Sequence, residues 1–211
     1  QKSTKYHMRK TTIFIIILLG LGIGIFIFSN KSPKITNYPS DGKTIVVLGD
    51  SLVQGVGATK DNDFPAVLSK LINEPIINMG VSGNTTGDGL ARVKEVIAED
   101  PKIVLLLLGG NDYLRKISIE ETFKNIDEII LTLQREGAVV VLLGVQGGIL
   151  GDKYEKYFEE LSEKRGTLYV PNVLDGIIGR PNLMSDAIHP NDLGYQKIAE
   201  KIYPILNTVL R

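Results

Sequence analysis

The chain has 211 residues, 43% hydrophobic and 23% charged, which suits one folded domain with a substantial core. It holds no cysteine, which excludes disulfides, a thiol nucleophile and thiolate metal sites. Its 24 basic and 24 acidic residues balance only overall: seven basic residues and one acid, Asp41, fall in 1–43, leaving 17 basic and 23 acidic residues beyond, a net of −6 that argues against nucleic acid as a partner.

The N-terminus opens with a basic leader, 1–12, carrying Lys2, Lys5, Arg9 and Lys10. Residues 13–28 are then apolar or glycine throughout. With the flanking polar residues the stretch reaches twenty, enough at about 1.5 Å per residue to cross a hydrocarbon core of roughly 30 Å. A transmembrane anchor is expected over 13–30, with the body facing outward because positive charge stays cytoplasmic. The competing reading is a cleaved signal peptide and a secreted body. That reading needs small residues at the cut, and Phe26, Ile27 and Phe28 are bulky. Residues 31–43, with Pro33, Pro39, Ser40 and Gly42, have no apolar periodicity and read as a linker to a domain over 44–211.

In the body, short apolar runs alternate with helical patterns. Residues 44–48 form a β-branched run, 64–71 have helical spacing, and 76–79 make a short strand. Leu90, Val93, Val96 and Ile97 make one stripe on a helix ending near Pro101. Residues 103–108 are apolar throughout, as a strand covered on both faces requires. Ser118 and Glu121 match a capping box that opens a helix to about Glu136. Strand over 139–145, helix over 154–163, strand over 168–170 and a closing helix from Asp192 to about Leu210 complete the chain. This alternation predicts an α/β domain, a parallel sheet with helices on both faces. Ligands in such sheets bind at the carboxyl ends of the strands.

Four segments put polar chemistry there: Gly49-Asp50-Ser51-Leu52, Asn78-Met79-Gly80-Val81-Ser82-Gly83-Asn84-Thr85, Gly109-Gly110-Asn111-Asp112 and Asp186-Ala187-Ile188-His189-Pro190. A serine hydroxyl needs a base to become a nucleophile. The chain has two histidines, His7 in the leader and His189, so His189 is the base available to the body. A base needs an acceptor to hold its tautomer, and Asp186 stands three residues earlier. Backbone N–H groups of Ser51 and Gly83 and the Asn111 amide could converge on a developing oxyanion. Each residue also has an ordinary reading. Ser51 and Asp186 suit caps or turns, Gly83 a positive φ angle, Asn111 a tight turn, and His189 a surface position. The set outweighs its members, because serine, glycine and asparagine follow successive strands and the histidine closes the order.

These segments resemble the four blocks of the SGNH hydrolases, also called GDSL esterases and lipases, and the likeness runs from Thr44 to about Leu210. Gly49–Asp50–Ser51–Leu52 resembles the nucleophile block, Gly83 the oxyanion glycine, Asn111 the oxyanion asparagine, and Asp186 with His189 the acid and base. The resemblance implies a flavodoxin-like three-layer α/β/α fold with a five-stranded parallel sheet. It implies hydrolysis of esters or thioesters through an acyl-enzyme, without metal or organic cofactor. The short body is similar to the compact bacterial thioesterase I/lysophospholipase L1 and arylesterase members, which are commonly exported by a cleaved signal. The expected permanent anchor departs from them and suggests a single-pass enzyme of the bacterial cytoplasmic membrane.

Tyr113 and Leu114 beyond the Asn111 turn, and Ile149 beyond the fourth strand, are expected to border the site and contact substrate, an acyl or lipid-like ester. A carbohydrate O-acetylesterase or O-acetyltransferase is the alternative on the same scaffold. The absence of tryptophan, a common sugar platform, leans toward acyl chains. A nucleotide-binding domain fits poorly: Gly55-Val56-Gly57-Ala58-Thr59-Lys60 lacks the third glycine of a dinucleotide fingerprint, and no phosphate loop is present.

Overall fold

Five parallel strands in the order β2-β1-β3-β4-β5 carry the chain in the computed structural model, which describes residues 34–145 and 153–210. The strands are β1 (Thr44–Gly49), β2 (Ile76–Gly80), β3 (Pro101–Leu107), β4 (Val139–Leu143) and β5 (Leu168–Val170). The helices are α1 (Ser51–Gln54), α2 (Phe64–Ile72), α3 (Thr86–Ala91), α4 (Val93–Ala98), α5 (Gly110–Leu114), α6 (Ile119–Arg135), α7 (Lys153–Arg165) and α8 (Asp192–Leu206). Helices α2 and α8 pack together, while α3, α4 and α7 pack around α6. Right-handed crossovers set these two groups on opposite faces of the sheet. The expected three-layer α/β/α domain is present, with the flavodoxin-like strand order.

The apolar runs become strands because both sheet faces are covered. Ile45, Val46, Val47 and Leu48 of β1 and Val104 to Leu107 of β3 are fully buried. Each such side chain contributes roughly 1.5–3 kcal/mol on burial. Amphipathic α6 turns Phe123, Ile126, Ile129, Ile130 and Leu133 to the core.

Several details differ from expectation, among them β4, which ends at Leu143 and not at 145. The stripe Leu90, Val93, Val96 and Ile97 lies on two helices, α3 and α4, broken at Arg92, whose φ of −110° and ψ of 13° leave helical geometry. At the break the Arg92 guanidinium reaches the carbonyls of Gly49 and Met79. Helix α8 stops at Leu206 rather than near Leu210. Past it the bonds tighten to three-residue turns, the Thr208 N–H donating to the Ile205 carbonyl and the Val209 N–H to the Leu206 carbonyl, and Thr208 Oγ1 also donates to the Ile205 carbonyl. At the start of α6, Ser118 Oγ accepts from the Glu121 N–H, half of the expected box. A complete capping box stands on α3, between Thr85 and Asp88.

The expected anchor over 13–30 lies outside the described residues. Among those described, no helix is long and apolar enough to cross a membrane. Within the stretch read as a linker, the Asn37 amide donates to the Gln134 and Ala138 carbonyls and Ser40 Oγ to the Gly137 carbonyl. Residues 36–43 therefore lie against the body, over the turn between α6 and β4.

Candidate active site

The carboxyl end of the sheet gathers three of the four segments, and the loop before α8 adds the fourth. Strand β1 ends at Gly49, and the chain turns at once into α1, whose first residue is Ser51. Asp50 caps this helix, its Oδ1 accepting from the Leu52 N–H. The turn is tight enough that α1 rests directly on β2. A Cβ at Gly80 would stand 2.1 Å from the Gln54 nitrogen and 2.5 Å from the Val53 carbonyl carbon.

His189 Nε2 lies 3.1 Å from Ser51 Oγ, and His189 Nδ1 lies 2.8 Å from Asp186 Oδ2. A carboxylate only accepts, so Nδ1 carries the proton and the Nε2 lone pair faces the hydroxyl. Asp186 Oδ1 also accepts the N–H groups of Ile188 and His189, which folds the four-residue loop around the carboxylate. The His189 bond, followed by these two, holds the Asp186 carboxyl at about 2, well below its ordinary range. Asp186 thus stays ionised across any working pH, although its side chain is half exposed. The serine, 138 residues from the histidine, joins the neighbouring imidazole and carboxylate in one continuous relay.

Asn111 is on α5, just beyond β3. Its amide donates to the Asn84 carbonyl at 3.0 Å and toward Asp50 Oδ2 at 3.3 Å. The next residue, Asp112, is wholly buried and accepts from the Thr86 N–H and hydroxyl at 2.8 and 2.5 Å. That carboxylate locks the Asn111 turn to the start of α3. Gly83 has φ of +82° at the third position of a turn closed by the Asn84 N–H on the Val81 carbonyl. Ser82 is outside the left-handed region, so the turn is type II and favours glycine at 83.

A cavity of about 640 Å³ opens over Ser51 and His189, with Asp50 and Asn111 in its wall. The rest of its lining is mostly apolar: Tyr113, Leu114, Val145, Leu174, Ile178 and Ile188. Tyr113 is braced by an edge-on contact with Tyr154, ring centroids 6.0 Å apart. The expected Tyr113 and Leu114 are thus on the cavity, while Ile149 lies outside the described residues. Gly83 is not among the lining residues; its turn stands beside α1, with the Ser82 N–H bonded to Gln54 Oε1. Among the described residues, no cluster of potential metal ligands is found.

Sequence reasoning passed over several residues. Val145, Leu174 and Ile178 carry no motif and become walls through the fold, and Ile188, in view only between Asp186 and His189, joins them. Asp50 was in view within the Gly49–Leu52 segment but without a task. It is 4% exposed, and burial pushes its carboxyl up to about 6. A raised carboxyl favours the folded state in acid. The penalty of ionising it is absent below about pH 4, grows toward pH 6 and is complete above, reaching about 3 kcal/mol. Asp50→Asn is therefore expected to match the wild type in urea stability at acid pH and to exceed it at pH 8. It is also expected to lose activity, because its NH₂ group would face the Asn111 amide. Equal stability differences at both pH values would contradict this account.

The fold and the serine–histidine–aspartate geometry define an α/β serine ester hydrolase. A sequence model of the GDSL-like lipase/acylhydrolase family matches residues 47–197, and the chain belongs to that family, the SGNH hydrolases. Esterase TesA of Pseudomonas aeruginosa is 29% identical over 180 residues, covering 80% of this chain and 90% of that protein. An arylesterase of Vibrio mimicus is 30% identical, covering 74% and 84%. Among solved structures, TesA superposes with a TM-score of 0.71 at 31% identity, over 80% of this chain and all of that one. The SGNH-family esterase AlinE4 gives a TM-score of 0.63 at 34% identity, over 81% and 98%.

Proposed function

We propose that the chain hydrolyses carboxylic esters or thioesters of acyl chains through an acyl-enzyme on Ser51. The observation that carries this reading is the Asp186–His189–Ser51 relay ending in an apolar cavity. His189 Nε2 takes the Ser51 proton as Oγ attacks the substrate carbonyl. The oxyanion is held by the N–H groups of Ser51 and Gly83 and by the Asn111 amide. Collapse breaks the ester bond, and the leaving alcohol or thiol takes the proton from the imidazolium. Water then gives a proton to His189 and attacks the acyl-enzyme, releasing the carboxylic acid and restoring Ser51.

The lining supports an acyl substrate over a sugar. Tyr113, Leu114, Ile178 and Ile188 are each about half exposed at the cavity, and an alkyl or aryl group covering them removes apolar surface from water. The similarity to an esterase and an arylesterase agrees with this. The test is a panel of p-nitrophenyl esters of rising acyl length beside an acetylated oligosaccharide. We expect kcat/KM to rise with chain length until the groove is filled, with little release of acetate from the sugar. Acetyl-only turnover with efficient sugar deacetylation would transfer the site to carbohydrate esters.

A further inference from the structure

Beyond the catalytic set, one cation joins the two loops that carry the oxyanion donors. Arg115 Nη2 donates to the Gly83 carbonyl at 2.7 Å. Arg115 closes α5, the helix of Asn111, and its own N–H donates to the Asn111 carbonyl at 2.9 Å. Its side chain therefore ties the element that carries the Asn111 amide to the turn that carries the Gly83 N–H.

The orientation of that N–H is a choice between two states. Type I and type II turns differ by a flip of the central peptide, here Ser82–Gly83. The flip sends the Gly83 N–H to the opposite side of the turn. Glycine permits both states, so its neighbours must choose. The peptide before it is held by Gln54 Oε1, which accepts the Ser82 N–H at 2.7 Å. The peptide after it is held at the Gly83 carbonyl by Arg115 and at the Asn84 side chain by Arg92 Nε, 2.8 Å. Among the described residues the Gly83 N–H itself has no acceptor, so it is available to a ligand.

Of these tethers Arg115 is the informative one. Arg92 also bonds the Gly49 and Met79 carbonyls, so its loss disturbs the ends of two strands. Arg115 is exposed, and Gly83 is its one side-chain hydrogen-bond partner among the described residues.

We propose that Arg115 is a positioning residue that keeps the Gly83 N–H turned toward the oxyanion and sets its spacing from the Asn111 amide. This rests on the serine-esterase reading above. It acts more on the transition state than on the bound substrate, because the ground-state carbonyl makes weaker use of the donors than the oxyanion does.

The test compares wild type, Ser51→Ala, Arg115→Ala and Arg115→Lys on p-nitrophenyl butyrate, with an alkyl trifluoromethyl ketone as inhibitor. That ketone adds to a serine hydroxyl and presents an oxyanion. Arg115→Ala is expected to lower kcat by about ten- to thirtyfold with KM changed less than about twofold, as a misplaced rather than deleted donor would. Affinity for the ketone falls by the same factor, Arg115→Lys recovers part of both, and millimolar guanidinium restores activity to Arg115→Ala. Thermal unfolding moves by less than about 3 °C, as for an exposed substitution. An Arg115→Ala enzyme with unchanged kcat, or with reduced kcat and unchanged ketone affinity, overturns the proposal. If Ser51→Ala is inactive in the same series, the esterase reading survives that failure; if Ser51→Ala turns over like wild type, both fall.

Discussion

Ser51→Ala is expected to lower kcat on p-nitrophenyl esters by a factor of about 10⁴ or more while leaving the fold intact. The size follows from the arrangement. Ser51 is the first residue of α1, and Asp50, not the Ser51 hydroxyl, accepts the free N–H of the helix start. The hydroxyl is partnered by His189 Nε2. Removing one oxygen therefore removes the nucleophile without uncapping the helix, and thermal unfolding should move little. The main-chain N–H of residue 51 remains, so a residue of rate above water from binding and oxyanion stabilisation is expected. The measurement is single-turnover kinetics with a burst assay for the acyl-enzyme. Wild type shows a burst of p-nitrophenol and the variant none. Near-wild-type turnover in the variant would remove Ser51 from the chemistry.

Asn111→Ala is expected to lower kcat by about 10²–10³, the loss typical of one oxyanion donor. The variant keeps Asp112, whose buried carboxylate holds the start of α3, so the turn keeps its shape. Two acceptors, Asp50 Oδ2 and the Asn84 carbonyl, lose a donor. Asp50 keeps its bond from the Leu52 N–H, which limits the cost in stability. Comparison of kcat and KM over one ester series checks the assignment. A loss confined to KM would make Asn111 a substrate contact, and a loss under about twofold would make it a turn residue only.

Much of the fold was legible along the chain because burial on two faces writes a local signature. The β-branched run at 44–48 and the apolar run at 103–108 fall on strands, and so does the run expected over 139–145, which ends as a strand at Leu143. The helix break at Arg92 was not legible. Leu90, Val93, Val96 and Ile97 keep helical spacing across it, and the partners of the guanidinium are strand-end carbonyls 13 and 43 residues away in sequence. The end of α8 was not legible either, because apolar residues continue to Leu210 while the backbone bonds beyond Leu206 tighten into three-residue turns.

The catalytic candidates could be read from residue type and order. Only one imidazole exists in the body, a serine follows a strand-ending glycine, and an aspartate lies within loop reach of the histidine. Such features are covalent and local, so they survive in one dimension. Distances and environments are not local. That Ser51 and His189, 138 residues apart, stand within 3.1 Å is a property of the strand order and the loop before α8. The same holds for the raised Asp50 carboxyl, which depends on desolvation by packed neighbours, and for the apolar wall of Val145, Leu174 and Ile178. Chemical identity travels with the residue, whereas proximity and dielectric arise only when distant segments pack, and here packing turned a list of polar residues into a hydrogen-bonded relay.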